Sequence, residues 1–295
     1  MKKVLLATSA LVMFAGAASA EITLSGSARM GIVYADDGTT STTQFSSRIR
    51  IVFTASGETD GGLTFGGSVR NDQSGVGGTS NGDSTVFISG AFGKLTMGDV
   101  SGAADALVGQ TSGVGYGPND GLHEVKFIGT EKTALYYEYS AGALTFGAGV
   151  GQMDVGNDTY NVGVKYAADG YSAALAFESS DSDGDMISLG GSATFGAATV
   201  KARVSDTDVS GEDTVYSLSL DYVSGPTTFT VVYTDYGNNS FLNDAYSAGT
   251  DTQHIGLGVA YDLGGGATLA GGIVQQNNTG AADQTFADLG LKFSF

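Results

Sequence analysis

The chain has 295 residues, 47 of them glycine, only 2 proline and none cysteine or tryptophan, and a formal net charge of −18. The acidic balance offers nothing to a nucleic acid, and the missing cysteines exclude disulfide stapling and thiolate-bound metals. Regular alternation of Phe, Tyr, Val, Ile and Leu through the glycine background excludes a disordered chain.

The first twenty residues combine Lys2 and Lys3, an apolar stretch from Val4 to Ala18 and the small-residue site Ala18-Ser19-Ala20. This reads as a secretory signal peptide cleaved between Ala20 and Glu21, which leaves an exported domain, 21–295, that is more acidic still. No later segment carries eighteen apolar residues in a row, so a membrane-spanning helix is not expected.

From Ile22 onward the apolar positions recur with period two, the spacing of strands with one apolar face. Ile22, Leu24, Ala28, Met30, Ile32 and Tyr34 share one face, and Thr23, Ser25, Ser27 and Arg29 the other. Phe45, Ile49, Ile51 and Phe53 oppose Gln44, Ser46, Arg48, Arg50 and Thr54, and Leu63, Phe65 and Val69 oppose Thr64, Ser68 and Arg70. Further strands are predicted over 84–91, 94–100, 133–140, 143–151, 160–167, 170–178, 186–193, 197–205, 214–223, 227–236, 252–261, 267–276 and 286–295, sixteen in all.

The connections alternate between short turns, such as Phe92-Gly93, Ala141-Gly142 and Phe195-Gly196, and longer polar loops, such as Asn71 to Asp83 and Gly237 to Asp251. Short turns at one end and long loops at the other are the mark of an outer-membrane barrel, and a soluble sandwich has no reason to sort its loops so. Paired aromatics flank the turns, among them Phe53 with Phe65, Tyr139 with Phe146, Tyr166 with Tyr171 and Tyr222 with Phe229. They imply a girdle at headgroup level. The predicted fold is therefore all-β, a 16-stranded antiparallel transmembrane β-barrel. Its last strand, from Asp288, carries Leu289, Leu291, Phe293 and Phe295 on one face and pairs with the first, so that no edge remains.

A barrel of sixteen strands is too wide for side chains to fill, so its polar face surrounds water. Inward positions hold Arg29, Arg48, Arg50 and Arg70 on the first three strands, with Lys165, Lys201 and Arg203 further round as additional lumen charges. Avoidance of lipid explains why they point inward but not why the arginines cluster. The connection from Ser101 to Lys132 is too long for a hairpin and carries Asp105, Asp120, His123, Glu124 and Glu131. Folded into the lumen, it sets carboxylates against arginines and makes a constriction with a transverse field; the bland alternative is a solvated outer loop.

Three stretches, Glu21-Ile-Thr-Leu-Ser-Gly-Ser-Ala-Arg29, Gly90-Ala-Phe-Gly-Lys-Leu-Thr-Met-Gly98 and Gly290-Leu-Lys-Phe-Ser-Phe295, resemble the general diffusion porins of Gram-negative outer membranes, above all the sixteen-stranded type of photosynthetic alphaproteobacteria. The resemblance covers nearly the whole exported domain. It implies a homotrimer of separate pores in outer-membrane lipid and lipopolysaccharide, passing ions and small hydrophilic solutes by passive diffusion. It implies a third loop, about 101–132, folded inward as an eyelet. An acidic side drawn from Asp99, Asp105, Asp120, Glu124 and Glu131 then faces Arg29, Arg48, Arg50 and Arg70. The loop 71–83 reaches toward a neighbouring subunit, and Gly290, Leu291, Phe293 and Phe295 form the signal read by the barrel assembly machinery.

Two competing functions are a substrate-selective outer-membrane channel and a barrel hydrolase. A hydrolase needs a histidine with a nucleophile beside it, and neither His123 nor His254 sits in a recognisable nucleophile motif. Asp181, Asp183 and Asp185 have a spacing reminiscent of calcium loops without the full twelve-residue pattern. A solvated polar loop is the preferred reading there, structural calcium the alternative, and no other cofactor is expected.

Overall fold

The computed structural model describes residues 21–74, 78–80, 83–117, 120–129, 131–151, 158–243 and 251–295. The expected signal peptide lies outside the described residues. In chain order the strands are β1 (Glu21–Asp36), β2 (Ser41–Glu58), β3 (Thr64–Ser74), β4 (Gly78–Ser80), β5 (Ser84–Gly90), β6 (Gly93–Val100), β7 (Glu131–Ala141), β8 (Leu144–Val150) and β9 (Thr159–Ala168), followed by β10 (Tyr171–Ser180), β11 (Gly184–Phe195), β12 (Ala198–Thr207), β13 (Val215–Ser224), β14 (Thr227–Gly237), β15 (Thr252–Gly264), β16 (Ala267–Asn278) and β17 (Gln284–Ser294). Each strand of the wall pairs antiparallel with its neighbours, and β1 pairs with both β2 and β17, so the sheet closes. Among the described residues sixteen strands form the wall. The three-residue β4 pairs only with the end of β3, which goes on to pair with β5 as the next wall strand.

Closure is in register: Arg29 lies opposite Lys292 and Met30 opposite Leu291. The Gly26 amide donates to the Phe295 carbonyl at 2.7 Å, and the Phe295 amide donates back at 3.1 Å. Gly26 has to be glycine, because a Cβ there would fall 2.6 Å from the Arg50 carbonyl oxygen and 2.7 Å from the Phe295 ring.

The outer face is apolar and uncovered. On β10, Tyr171, Leu175 and Phe177 are exposed while Ala174, Ala176 and Glu178 are buried, the period-two signal read from the sequence. Such a band surrounds the barrel, with Leu24, Met30 and Ile32 on β1 and Leu218 and Leu220 on β13, and it fits hydrocarbon rather than water. The paired aromatics of the turn end are exposed as a girdle, and the Tyr166 and Tyr171 rings sit 5.9 Å apart.

Several strands outrun the predicted ends. β2 extends to Glu58, and β3 reaches Ser74 through Asn71 and Asp72, residues expected in an outer loop. Ladder hydrogen bonding continues past the apolar band, but there both faces are polar and the alternation that announces a strand disappears.

The apolar interior is unusual in its location. Among the described residues the buried apolar side chains form two clusters, and both contain residues of the 101–129 segment. Ala103, Ala104, Val125 and Ile128 pack with Tyr136, Ala176, Met186, Val215 and Tyr236, while Val114 and Leu122 pack with Val232, Val274 and Phe286. These wall residues alternate with the exposed apolar ones, so the segment lies against the inner face of the barrel.

Candidate functional site

The segment after β6 forms a π-helical turn at Ala104–Val108, has no regular structure at 111–114, and makes a 3-10 turn at Asp120–His123 before β7. Side chains of the inner wall hold it along its length. Asn161 of β9 accepts from the Ala103 amide at 2.9 Å and donates to the Gly129 carbonyl at 3.0 Å, so it grips both ends of the segment. Glu178 of β10 does the same, accepting from the Ala104 amide at 3.4 Å and the Ile128 amide at 3.1 Å. Thr111 and Ser217 share a hydroxyl bond of 2.6 Å, and Thr234 donates to the His123 carbonyl at 3.1 Å. Tyr236 donates to the Glu124 carbonyl at 2.7 Å.

Glycines at inward positions make the seats. Val114 rests over Gly256 and Gly258 of β15 and Gly272 of β16, where an added Cβ would come within 3.0 Å of it. Tyr116 rests over Gly31 of β1 and Gly290 of β17, where added Cβ atoms would fall 2.8 and 2.7 Å from its ring. Its amide donates to Asp288 of β17 at 3.1 Å, and its hydroxyl donates to the Ser46 carbonyl of β2 at 3.4 Å. The sequence marked these glycines as inward by parity, but nothing local says that another segment lies on them.

The arginine wall exists and divides in two. Lys292, Arg29 and Arg48 stand directly opposite one another across β17, β1 and β2. Like charges so placed repel, and the Nε atoms of Arg29 and Arg48 are buried without a hydrogen-bond partner. Arg50 is paired instead: its Nε and Nη2 donate to Asp72 at 2.9 and 2.8 Å. Arg70 donates to the same carboxylate at 3.1 Å and forms an ion pair with Asp83. Sequence reasoning missed Asp72 and Asp83 because it ended the third strand at Arg70. The available signal was that Asp72 shares the parity of Arg70.

Two cavities lie beside this wall. One of about 630 Å³ is bordered by Arg70 and Asp83 together with Asp99, Asp105, Glu124 and Lys126, so three of the predicted acids face the same space as an arginine. The other, about 560 Å³, is bordered by Arg29, Arg48, Arg50 and Lys292 with Tyr116 and Glu124. Glu124, exposed at the tip between them, borders both. Asp120 is the first residue of the 3-10 turn and Glu131 the first of β7. The structure describes their backbone; their side chains lie outside the described residues.

Arg203 is not the open lumen charge that its parity predicts. It is 2% exposed and clamps the segment, donating to Gln110 Oε1 at 3.0 Å and to the carbonyls of Gly109 and Val125, with its guanidinium 4.3 Å from the centre of the Phe127 ring. Lys165 and Lys201 border a third cavity of about 180 Å³ on the turn side of the segment.

Both histidines are structural. His254 engages the Leu122 carbonyl through Nδ1 and Gln276 at 3.0 Å through Nε2, and His123 engages the Thr111 carbonyl at 3.1 Å. Asp181, Asp183 and Asp185 take part in loop hydrogen bonding, with Asp181 accepting from the Asp158 amide at 3.3 Å and the Asp185 amide donating to Asp208 at 2.8 Å. Among the described residues no three His, Asp or Glu side chains converge as metal ligands.

A family model described as Gram-negative porin matches residues 7–281 of this chain. A porin of Rhodobacter capsulatus is 36% identical over 311 residues, covering 93% of this chain and 100% of that one. A porin of Fuscovulum blasticum is 27% identical with the same coverage, 93% and 100%. Among solved structures, a porin refined at 1.8 Å resolution superposes with a TM-score of 0.72 at 34% identity, covering 93% of this chain and 100% of that one. A mutant of Rh. blastica porin superposes with a TM-score of 0.76 at 23% identity over the same shares, 93% and 100%, a likeness of fold.

Proposed function

The chain belongs to the family of Gram-negative porins, and from that membership and the lined lumen we propose that it is a water-filled outer-membrane channel for passive diffusion of ions and small hydrophilic solutes. One observation carries this reading: a long segment strapped to the inner wall leaves polar cavities bordered by arginines on one side and carboxylates on the other. Opposed charges across a narrow passage order water and polar solutes, disfavour apolar ones and set ion selectivity.

In this proposal the 101–129 segment is the constriction. Arg29, Arg48, Arg50 and Arg70 form its basic side, and Asp99, Asp105, Asp120, Glu124 and Glu131 supply the acidic side. The fold and family point to a channel rather than an enzyme, and both histidines are spent on holding the segment. Reconstitution into planar bilayers tests the reading: large stepwise conductance is expected, and silent membranes would refute it. Homotrimer assembly through the apolar outer wall and removal of residues 1–20 at Ala20/Glu21 belong to the same proposal; crosslinking and amino-terminal sequencing test them.

The pairing of Arg50 with Asp72 adds a sharper test. Asp72→Asn removes the carboxylate shared by Arg50 and Arg70 and is expected to shift the reversal potential of a salt gradient toward anions. Arg50→Gln combined with Asp72→Asn removes one charge of each sign and should stay near the parent value; equal shifts in the two variants would show that the pair does not act as a unit.

Phe295 bonds Gly26 through two backbone hydrogen bonds at the seam and contributes to the apolar pattern proposed for recognition by the assembly machinery. Deleting it is expected to lower the amount of folded barrel in outer membranes several-fold, while channels that do assemble conduct normally. Normal yield would remove it from assembly.

A further inference from the structure

We infer that the cavity bordered by Lys165, Lys201 and Arg203 is a binding site for a small dianionic oxyanion, of the chemistry of inorganic phosphate. The argument starts from register. Lys165 on β9 lies opposite Ala174 on β10, which lies opposite Gly190 on β11, which lies opposite Arg203 on β12. Two cations on one inward row are thus separated by two of the smallest residues, and the wall is hollow between them. The adjacent row runs Ser172, Ser192, Lys201, with the two serine hydroxyls 2.9 Å apart. Val108 to Gln110 of the strapped segment cover the hollow. The cavity's volume of about 180 Å³ has room for about six waters at 30 Å³ each, enough for a phosphate with part of its hydration and too little for a large solute.

Arg203 is partly offset through space by the carboxylates of Glu178 and Asp105, but among the described residues the two lysines form no ion pair. Among the described residues no carboxylate borders the cavity. Arg203 is almost fully buried, yet all five of its hydrogen bonds go to neutral oxygens, those of Ser205, Ser188, Gly109, Gln110 and Val125. Among the described residues, neither lysine has a carboxylate oxygen within 4 Å. Asp221, on the strand beside Lys201, accepts from Ser112 at 2.5 Å and Thr230 at 2.7 Å. Two half-buried ammonium groups that border one cavity without a bonded carboxylate favour an anion between them, and a chain with a net charge of −18 has carboxylates to spare for pairing them if charge neutralisation were all that was needed. A tetrahedral oxyanion presents several acceptor oxygens at once to two ammonium groups and a hydroxyl pair, and charge-assisted bonds of this kind are the strong ones. Its lining shares no residue with the cavity of the Arg29 and Arg48 row and only Gln110 with the cavity of Arg70.

Calorimetric titration of the detergent-solubilised full chain with inorganic phosphate at low ionic strength tests the proposal. Saturable binding at one site per chain is expected, weakened at least about ten-fold in K165Q/K201Q, the loss of one or two charge-assisted bonds. K165R/K201R keeps both charges and is expected to restore it, with circular dichroism checking that each variant retains its sheet. Wild-type protein that shows no saturable heat, or a K165Q/K201Q variant that binds as tightly as wild type, would overturn the inference. The readout needs no ion flow, so silent bilayers would remove the channel reading and leave this one intact.

Discussion

Removing the Glu178 carboxylate and the Asn161 amide together is expected to turn a quiet channel into a fluctuating one. These two buried side chains, neighbours across β9 and β10, each hold residues from both ends of the 101–129 segment. Replacing both with alanine orphans the amides of Ala103, Ala104 and Ile128 and the carbonyl of Gly129. Each buried group left without a partner costs about 1–3 kcal/mol, so the ends gain by leaving the wall for water. The sheet itself keeps its ladder, since none of those four groups belongs to it. Single-channel recordings of E178A/N161A should therefore show a raised mean conductance and flicker between levels, while thermal unfolding of the barrel changes little. Added protease should cut within 101–129 in the variant and spare the parent protein. A steady channel of parental conductance with an uncut segment would show that these anchors do not hold the constriction.

The second large effect concerns ion selectivity. Arg29 and Arg48 stand in register with Lys292 and border the same cavity, whereas Arg50 and Arg70 share Asp72 and Arg70 also pairs with Asp83. The unpaired row sets the local potential, and its removal is not offset by release of a carboxylate. Neutralising both with R29Q/R48Q takes away two charges, each worth on the order of 0.6 kcal/mol for an ion passing about 7 Å away in water. Their combined loss of about 1 kcal/mol corresponds to roughly a five-fold change in relative permeability toward cations. Reversal potentials in a salt gradient measure it, and the shift should shrink as ionic strength rises and screening tightens. An unchanged reversal potential would place this row outside the ion path.

The wall was readable in the sequence because lipid and water impose opposite polarity on alternate residues, and that contrast fixes strand positions, faces and the alternating loop lengths. It failed where the contrast ends. Above the apolar band β3 is polar on both faces, so Asn71 and Asp72 look like loop, and with them went the partner of Arg50. Parity could say that Arg203 points inward but not that Gln110 and Phe127 cover it, since a contact between residues 93 apart leaves no trace in local spacing. The loop's length announced a special role, and two of its expected acids, Asp105 and Glu124, share a cavity with Arg70, as does Asp99 at the end of β6. The glycine seats under Val114 and Tyr116 carried a readable parity and an unreadable destination.

Tyr116 has one more consequence, for the order of events in folding. Its amide and ring engage β17, its ring also lies over β1, and its hydroxyl reaches β2, so it bridges the junction of the first and last strands. That junction joins residues 249 to 267 positions apart and is the pairing with the largest loop-closure entropy among the described strands. The seat of Tyr116 does not exist until those strands meet, so docking of the segment follows ring closure and acts as a latch on it. Once seated, the latch opposes the reverse step. Loosening it should therefore appear chiefly as faster unfolding from the seam, with the rate of strand assembly little changed.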